Sequence, residues 1–235
     1  KHRKQLTLAF FCALTSFCVS QATLDEGYLN WSLTQAETIA QSTYQDGKVG
    51  SRVLLAWTGI DTRVLKTERA QNYKLRATWF TPEVIRGSAR AAQLRSRLSA
   101  DETRKLVAEA ETAGNTVIMV EIDPNQGSGV IPDDWEAFLQ PHGNTNPEAA
   151  IRGKDNSDLR KVRALQGVRQ RNYDYDRFWM VFPLLDDKGK ALLPPEAVEV
   201  DLVVRIYNRE GTVQWTVPPS VHTLVSQLQV KRATP

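Results

Sequence analysis

Cysteine is nearly absent from this chain, and where it occurs it is confined. Of 235 residues, only Cys12 and Cys18 are cysteine, and both lie within the first twenty positions. Without that segment the chain can form no disulfide, no thiol nucleophile and no cysteine-based zinc site. Histidine is almost as scarce, with His2, His142 and His222 making up the total of 3. Neither His142 nor His222 has a second histidine or a carboxylate at helical spacing, which excludes an HExxH zinc site. His222, in "PPSVHTLV", reads as a surface or packing residue. There is no G-x-S-x-G elbow, phosphate-cradling glycine loop or dinucleotide fingerprint, and "QGSG" (126–129) lacks the strand-to-helix context that aims a serine. No cofactor is expected.

A long apolar run is also missing. Leu6 to Val19 is apolar but shorter than the roughly 20 residues a membrane span needs. It follows Lys1, His2, Arg3 and Lys4 and is followed by Ser20-Gln21-Ala22, with small residues three and one before a cut after Ala22. That layout is a secretory signal peptide over 1–22, with a single domain over 23–235 and no transmembrane segment in the mature chain. Cys12 and Cys18 each follow a phenylalanine, which disfavours a lipid-anchored leader. The whole chain has 30 Lys+Arg against 27 Asp+Glu and a pI near 8.9. Loss of Lys1, Arg3 and Lys4 with the leader leaves 27 of each sign, so bulk charge gives no basis for a nucleic-acid partner.

The remaining sequence is rich in local signals. "SLTQAETIAQSTYQDG" reads as a helix, with Ser32 as its N-cap, Gln35 completing a capping box and Gly47 as its stop. "SRVLLAWTG" (51–59) reads as a buried strand, and "KLRATWF" (74–80) alternates like a half-buried one. Two helices follow, one from Thr81-Pro82 and one from Ser99 with Glu102 three residues on, ending at Gly114. "TVIMVEI" (116–122), "WEAFL" (135–139) and "FWMVF" (178–182) read as strands. Residues 140–158 read as a polar loop and "DDKG" (186–189) as a turn. Val198, Val200, Leu202, Val204 and Ile206 alternate with Glu199, Asp201 and Arg205, "NREG" (208–211) turns the chain, and Val213, Trp215 and Val217 face back. The expected fold is mainly β with an α insertion (α+β): an antiparallel β-sandwich, with the immunoglobulin-like arrangement as one form of it, carrying a two-helix insertion at about 82–114.

A strand ending in Trp57, "RATWFTPEV" entering a helix pair, "VIMVEIDP", "DDWEAFL" and a hairpin ending "VQWTV" resemble a loose group of secreted bacterial proteins with no assigned function. The resemblance covers roughly 50–217 and rests on patterns. It implies an envelope or extracellular location and carries no catalytic residues.

Charge is polarised along the chain. Arg52 to Arg97 holds ten basic residues and three acidic ones, and Asp101 to Glu148 holds ten acidic and two basic. On the first helix of the pair Arg86, Arg90 and Arg97 fall within about 40° of one another, opposite Val84, Ile85, Ala89, Ala92 and Leu98. This stripe is a candidate docking surface for an anionic polymer, a lipid headgroup or an envelope protein; a solvated helix face paired with the acidic second helix is the plainer reading. Trp31 and Trp135 lie near element ends, and Trp135 is a candidate loop-borne contact. "DPNQGSGVIPDD" (123–134) places Asp123, Asn125 and Asp134 at the first, third and twelfth positions of a calcium loop, but Ser128 stands where glycine belongs and the last ligand is not glutamate. It is a weak metal candidate beside the simpler reading of a glycine-rich turn. The expected function is a non-catalytic binding or structural module, secreted or periplasmic, of a bacterial envelope. The alternative is a secreted hydrolase using Asp123, Asp133 or Asp134.

Overall fold

The computed structural model describes residues 26–51, 73–113, 116–124, 131–144, 150–186, 188–194, 196–207 and 209–233. The expected leader at 1–22, with its cysteines, and residues 52–59 of the strand expected at 51–59 lie outside these residues.

Local capping signals set the helices. Ser32 caps α1 (Leu33–Ala40), its hydroxyl accepting from the Gln35 N–H at 3.2 Å. Thr81 caps α2 (Pro82–Ser96), with proline at the first turn. Ser99 and Glu102 close a reciprocal capping box on α3 (Ala100–Glu111). The strands are β1 (Tyr44–Ser51), β2 (Tyr73–Phe80), β3 (Thr116–Asp123), β4 (Glu136–Pro141), β5 (Ile151–Arg152), β6 (Lys154–Asp155), β7 (Asp176–Phe182), β8 (Glu199–Ile206) and β9 (Arg209–Thr216). A final helix, α4 (Pro219–Ala233), follows β9.

The first helix ends seven residues before Gly47. From Tyr44 the chain is extended and pairs with β2, Tyr44 opposite Thr78 and Gly47 opposite Leu75. Gly47 serves as a point of close approach, not as a helix stop: a Cβ there would lie 3.1 Å from Val213 Cγ2. Sheet pairing has overridden the local helix pattern. In the late hairpin Ile206 pairs directly with Arg209, so the chain turns earlier than 208–211, and Tyr207 takes a φ of 53° to allow it.

All nine strands form one antiparallel sheet in the order β5-β4-β8-β9-β1-β2-β3-β7-β6. The expectation of a mainly β fold with helical parts holds, including a helix pair between β2 and β3. An immunoglobulin-like sandwich is not confirmed, because the sheet curls into a nearly closed barrel. Two segments make the curl. Strand β1 pairs with β2 along Tyr44–Val49 and with β9 at Gly50–Ser51. The edge strands β5 and β6 are halves of one five-residue segment, 151–155, joined at Gly153. The sheet's two edges therefore meet in one stretch of backbone, within a region expected to be a polar loop.

Alternation divides the side chains between two cores. Leu75, Ala77, Trp79, Ile118, Val120, Phe182, Leu202, Val204 and Trp215 point into the barrel. Trp79 and Trp215 pack there with ring centroids 5.8 Å apart. On the outer face Phe80, Val117, Met119 and Trp179 meet Val84, Ile85 and Ala89 of α2 and Val107 and Ala110 of α3. Val221 and Val225 of α4 join the inner core beside Val217 and close the barrel at the end where β9 finishes. No helix among the described residues is long and apolar enough to cross a membrane.

At the seam, Gly153 leaves no room for a side chain. A Cβ at that position would stand 2.7 Å from Phe182 Cζ and 2.8 Å from Cε1, and Phe182 is fully buried. Gly153→Ala is expected to lose about 1–3 kcal/mol of stability, in the range of core overpacking. Urea denaturation measures this, and an unchanged midpoint would contradict the seam geometry.

Candidate functional site

The seam strand serves β4 and β7 in turn, and a gap opens where it changes sides. Arg152 lies opposite Phe138 on β4, and the Gly153 N–H reaches the Ala137 carbonyl at 2.9 Å. From Lys154 the segment follows β7 instead, Asp155 lying opposite Met180 and the Asn156 N–H bonding to the Trp179 carbonyl. Between Trp135–Glu136 on one side and Asp176–Phe178 on the other, no strand lies among the described residues. A cleft of about 990 Å³ occupies this gap. The strand registers place it at the end of the barrel opposite α4.

Trp135 and Phe178 form an aromatic pair within the cleft, centroids 4.8 Å apart and planes at 63°. Both rings are half-buried and pack on the inner core, so the pair is a fixed aromatic surface. Charged groups of both signs surround it. Arg152 and Glu136 bridge β5 and β4 at 2.7 Å. Lys154, Arg160 and Arg171, with Asp133, Asp155 and Asp176, are exposed in the lining and form no ion pair among the described residues. Arg177 forms part of the deep wall, where its Nε donates to Glu121 at 2.7 Å; both side chains are over nine-tenths buried. That pair is fixed in place and unavailable to a ligand.

The residues singled out from sequence do not gather at one place. Trp135 is in the cleft. Arg86, Arg90 and Arg97 lie on α2 or at its end, away from it. Arg90 is half-buried and committed internally, Nε to the Trp31 carbonyl at 2.9 Å and Nη1 to Gln93 Oε1 at 2.6 Å. Arg86 lies against α3, its Nη2 4.0 Å from Glu111. Arg97 is exposed and ends α2 in the left-handed conformation, with φ 54°. The acidic second helix approaches Arg86 only at that 4.0 Å limit and does not account for Arg90. Of the loop carboxylates, Asp133 lines the cleft, Asp134 is exposed on the preceding turn, and Asp123 is ion-paired with Lys74 at 3.0 Å. Asn125 lies outside the described residues. Among the described residues, no group of three or more His, Cys, Asp or Glu side chains could hold a metal ion.

One pairing was not legible in the sequence. His142, just past β4, places Nδ1 2.9 and 3.0 Å from the two Asp201 oxygens. Asp201 sits on the outer side of β8, where alternation predicts a solvated residue, yet is only 7% exposed. The one hint was a carboxylate inside a strongly apolar strand. Its partner lies 59 residues away, in a region read as loop.

No protein-family model matches the chain, and comparison with curated proteins and with solved structures gave no match.

The hydrogen bond that His142 Nδ1–H donates to the Asp201 carboxylate, reinforced by that carboxylate's charge, raises the His142 pKa above the ordinary value of 6.5. A raised native pKa means the pair's stabilisation is complete below about pH 6.5 and fades as pH rises through the native pKa. The His142 ring-proton NMR titration should show this shift. Asp201→Asn should return the midpoint to the ordinary value and flatten the corresponding pH dependence of the urea midpoint; a titration unchanged by the substitution would contradict the pairing.

Proposed function

We propose that this chain is a non-catalytic binding module of a bacterial envelope, acting in the periplasm or outside the cell, and that the seam cleft holds its ligand. The leader-like N-terminal sequence supports the location. The observation that carries the binding site is the convergence, in one cleft of about 990 Å³, of a fixed Trp135–Phe178 pair with cations and carboxylates that have no ion-pair partner among the described residues. The volume falls at the upper end of the roughly 300–1,000 Å³ usual for small-molecule sites.

The mixture of signs selects the ligand. Of the anionic polymers, lipid headgroups and envelope proteins that a basic helix face suggested, a purely anionic partner would meet Asp133, Asp155 and Asp176 in this cleft. Of the three helix arginines, Arg90 is engaged with the protein's own groups. The reading that fits is an envelope polymer carrying ring faces together with both amino and carboxylate groups. Its rings would lie on Trp135, and its charges would pair with Lys154, Arg160 and Arg171 on one side and the three aspartates on the other. A hydrolytic reading would draw on Asp133, the one expected loop carboxylate in the cleft, with Asp155 and Asp176.

Titration of the chain with soluble fragments of bacterial cell-wall glycan, whose amino-sugar rings bear short peptides, tests both readings. Binding by calorimetry is expected, with Trp135→Ala weakening it roughly thirtyfold, as truncation of an aromatic anchor worth about 2 kcal/mol does. Equal binding by the folded variant would remove the cleft from the account. Shortened fragments in the mixture, detected by mass spectrometry, would replace the binding module with the hydrolase.

A further inference from the structure

A second concavity, of about 460 Å³, lies at the other end of the barrel, between α4 and the α2–α3 pair. Its size also falls in the range of small-ligand sites, about 300–1,000 Å³. Phe80, Ile85 and Val117 form one wall, none more than 6% exposed. The other wall is α4. Val221, Leu224, Val225 and Leu228 make an apolar stripe at helical spacing, of which Val221 and Val225 are buried in the barrel end. Leu224 and Leu228 line the groove and remain half-buried.

One cation is set in this apolar surface. The Arg86 side chain is 19% exposed, and its Nε is buried with no hydrogen-bond partner among the described residues. Its nearest carboxylate, Glu111, is 4.0 Å away, the outer limit of an ion pair. A buried guanidinium donor without an acceptor is costly, and a carboxylate paired with the exposed part of the same guanidinium would offset that cost. Glu83 and Glu111 also line the groove, and Glu83 Oε2 accepts from Ser220 Oγ at 2.8 Å. Arg90, one turn further along α2, shows the contrast, with its donors matched to Trp31 and Gln93.

We infer that this groove binds a single-chain anionic amphiphile of the fatty-acid kind, its carboxylate on the Arg86 guanidinium and its hydrocarbon tail between the α2 wall and α4. A carboxylate supplies two acceptors to the guanidinium fork, and the tail covers the part of the α4 stripe that the barrel leaves open. The inference is independent of the seam cleft, which lies at the opposite end of the barrel.

The test is calorimetric titration of the full chain with octanoate, decanoate and dodecanoate below their micelle concentrations, beside dodecanol. Affinity should rise about three- to fourfold per added CH₂, and dodecanoate should bind at least roughly tenfold more tightly than dodecanol, as a charge-assisted pair requires. Arg86→Met, which keeps the apolar stem, should abolish that preference for the acid. Leu224→Glu should lose both ligands, while Trp135→Ala should bind both unchanged. Absence of fatty-acid binding by the folded wild-type chain, equal affinity for dodecanoate and dodecanol, or binding indifferent to Leu224→Glu would overturn the inference. The acid-against-alcohol comparison uses wild type alone and stands even if a variant misfolds.

Discussion

The architecture depends on a single stretch of backbone serving two edges. A curled sheet of nine strands leaves a row of unpaired amides and carbonyls at each end of its strand order, and such edges invite association. Here both edges are met by residues 151–155, with Ile151 and Arg152 bonded to β4 and Lys154 and Asp155 bonded to β7. The crossing from one edge to the other happens at Gly153, against the ring of Phe182, where there is no room for a side chain. Without that contact the two arcs of the sheet would part, and the buried faces of Phe182, Met180 and Leu139 would open with them.

The two ends of the barrel follow from how the seam is made. A strand that must move from β4 to β7 cannot pair with both along their full length, so the end it moves away from is left as a cleft with Trp135 and Phe178 in it. At the other end α4 closes the barrel with Val221 and Val225. Two arginines mark the difference. Arg177, in the deep wall of the cleft, is matched by Glu121 at 2.7 Å. Arg86, beside α4, keeps a buried Nε without a partner among the described residues. One is a completed structural pair and the other an incomplete one, which is why the cleft's candidate ligand groups are its exposed charges, while the groove's is the buried cation itself.

What was legible in the sequence was what is decided locally. Thr81-Pro82 and the Ser99–Glu102 box set both helices of the pair, and the alternation of β2 and β8 sorted inner from outer residues. Trp135 could be singled out because it opens a strand, and it does line the cleft. What was not legible depends on partners distant in sequence. Gly47 reads as a helix stop until its strand is laid against Leu75 and Val213. The two-residue strands β5 and β6 are too short to show any period, so the segment that closes the barrel looked like loop. Asp201 pairs with His142, 59 residues away, and the engagement of Arg90 depends on a carbonyl in the turn at Trp31. Helical spacing put Arg86 and Arg90 one turn apart on α2, but Arg97 falls past the helix in the left-handed conformation, and spacing does not report what lies opposite the other two.

Amide hydrogen exchange at the seam tests the closure most directly. The Gly153 N–H, bonded to Ala137, and the Asn156 N–H, bonded to Trp179, hold the seam strand to opposite edges of the sheet. In a closed barrel both should exchange as slowly as amides in the centres of β3 and β8, since each opens only when the core does. Fast exchange at either amide, with β3 and β8 still protected, would mean that the sheet is open along that edge, and the cleft would then be a break between two arcs instead of a built site.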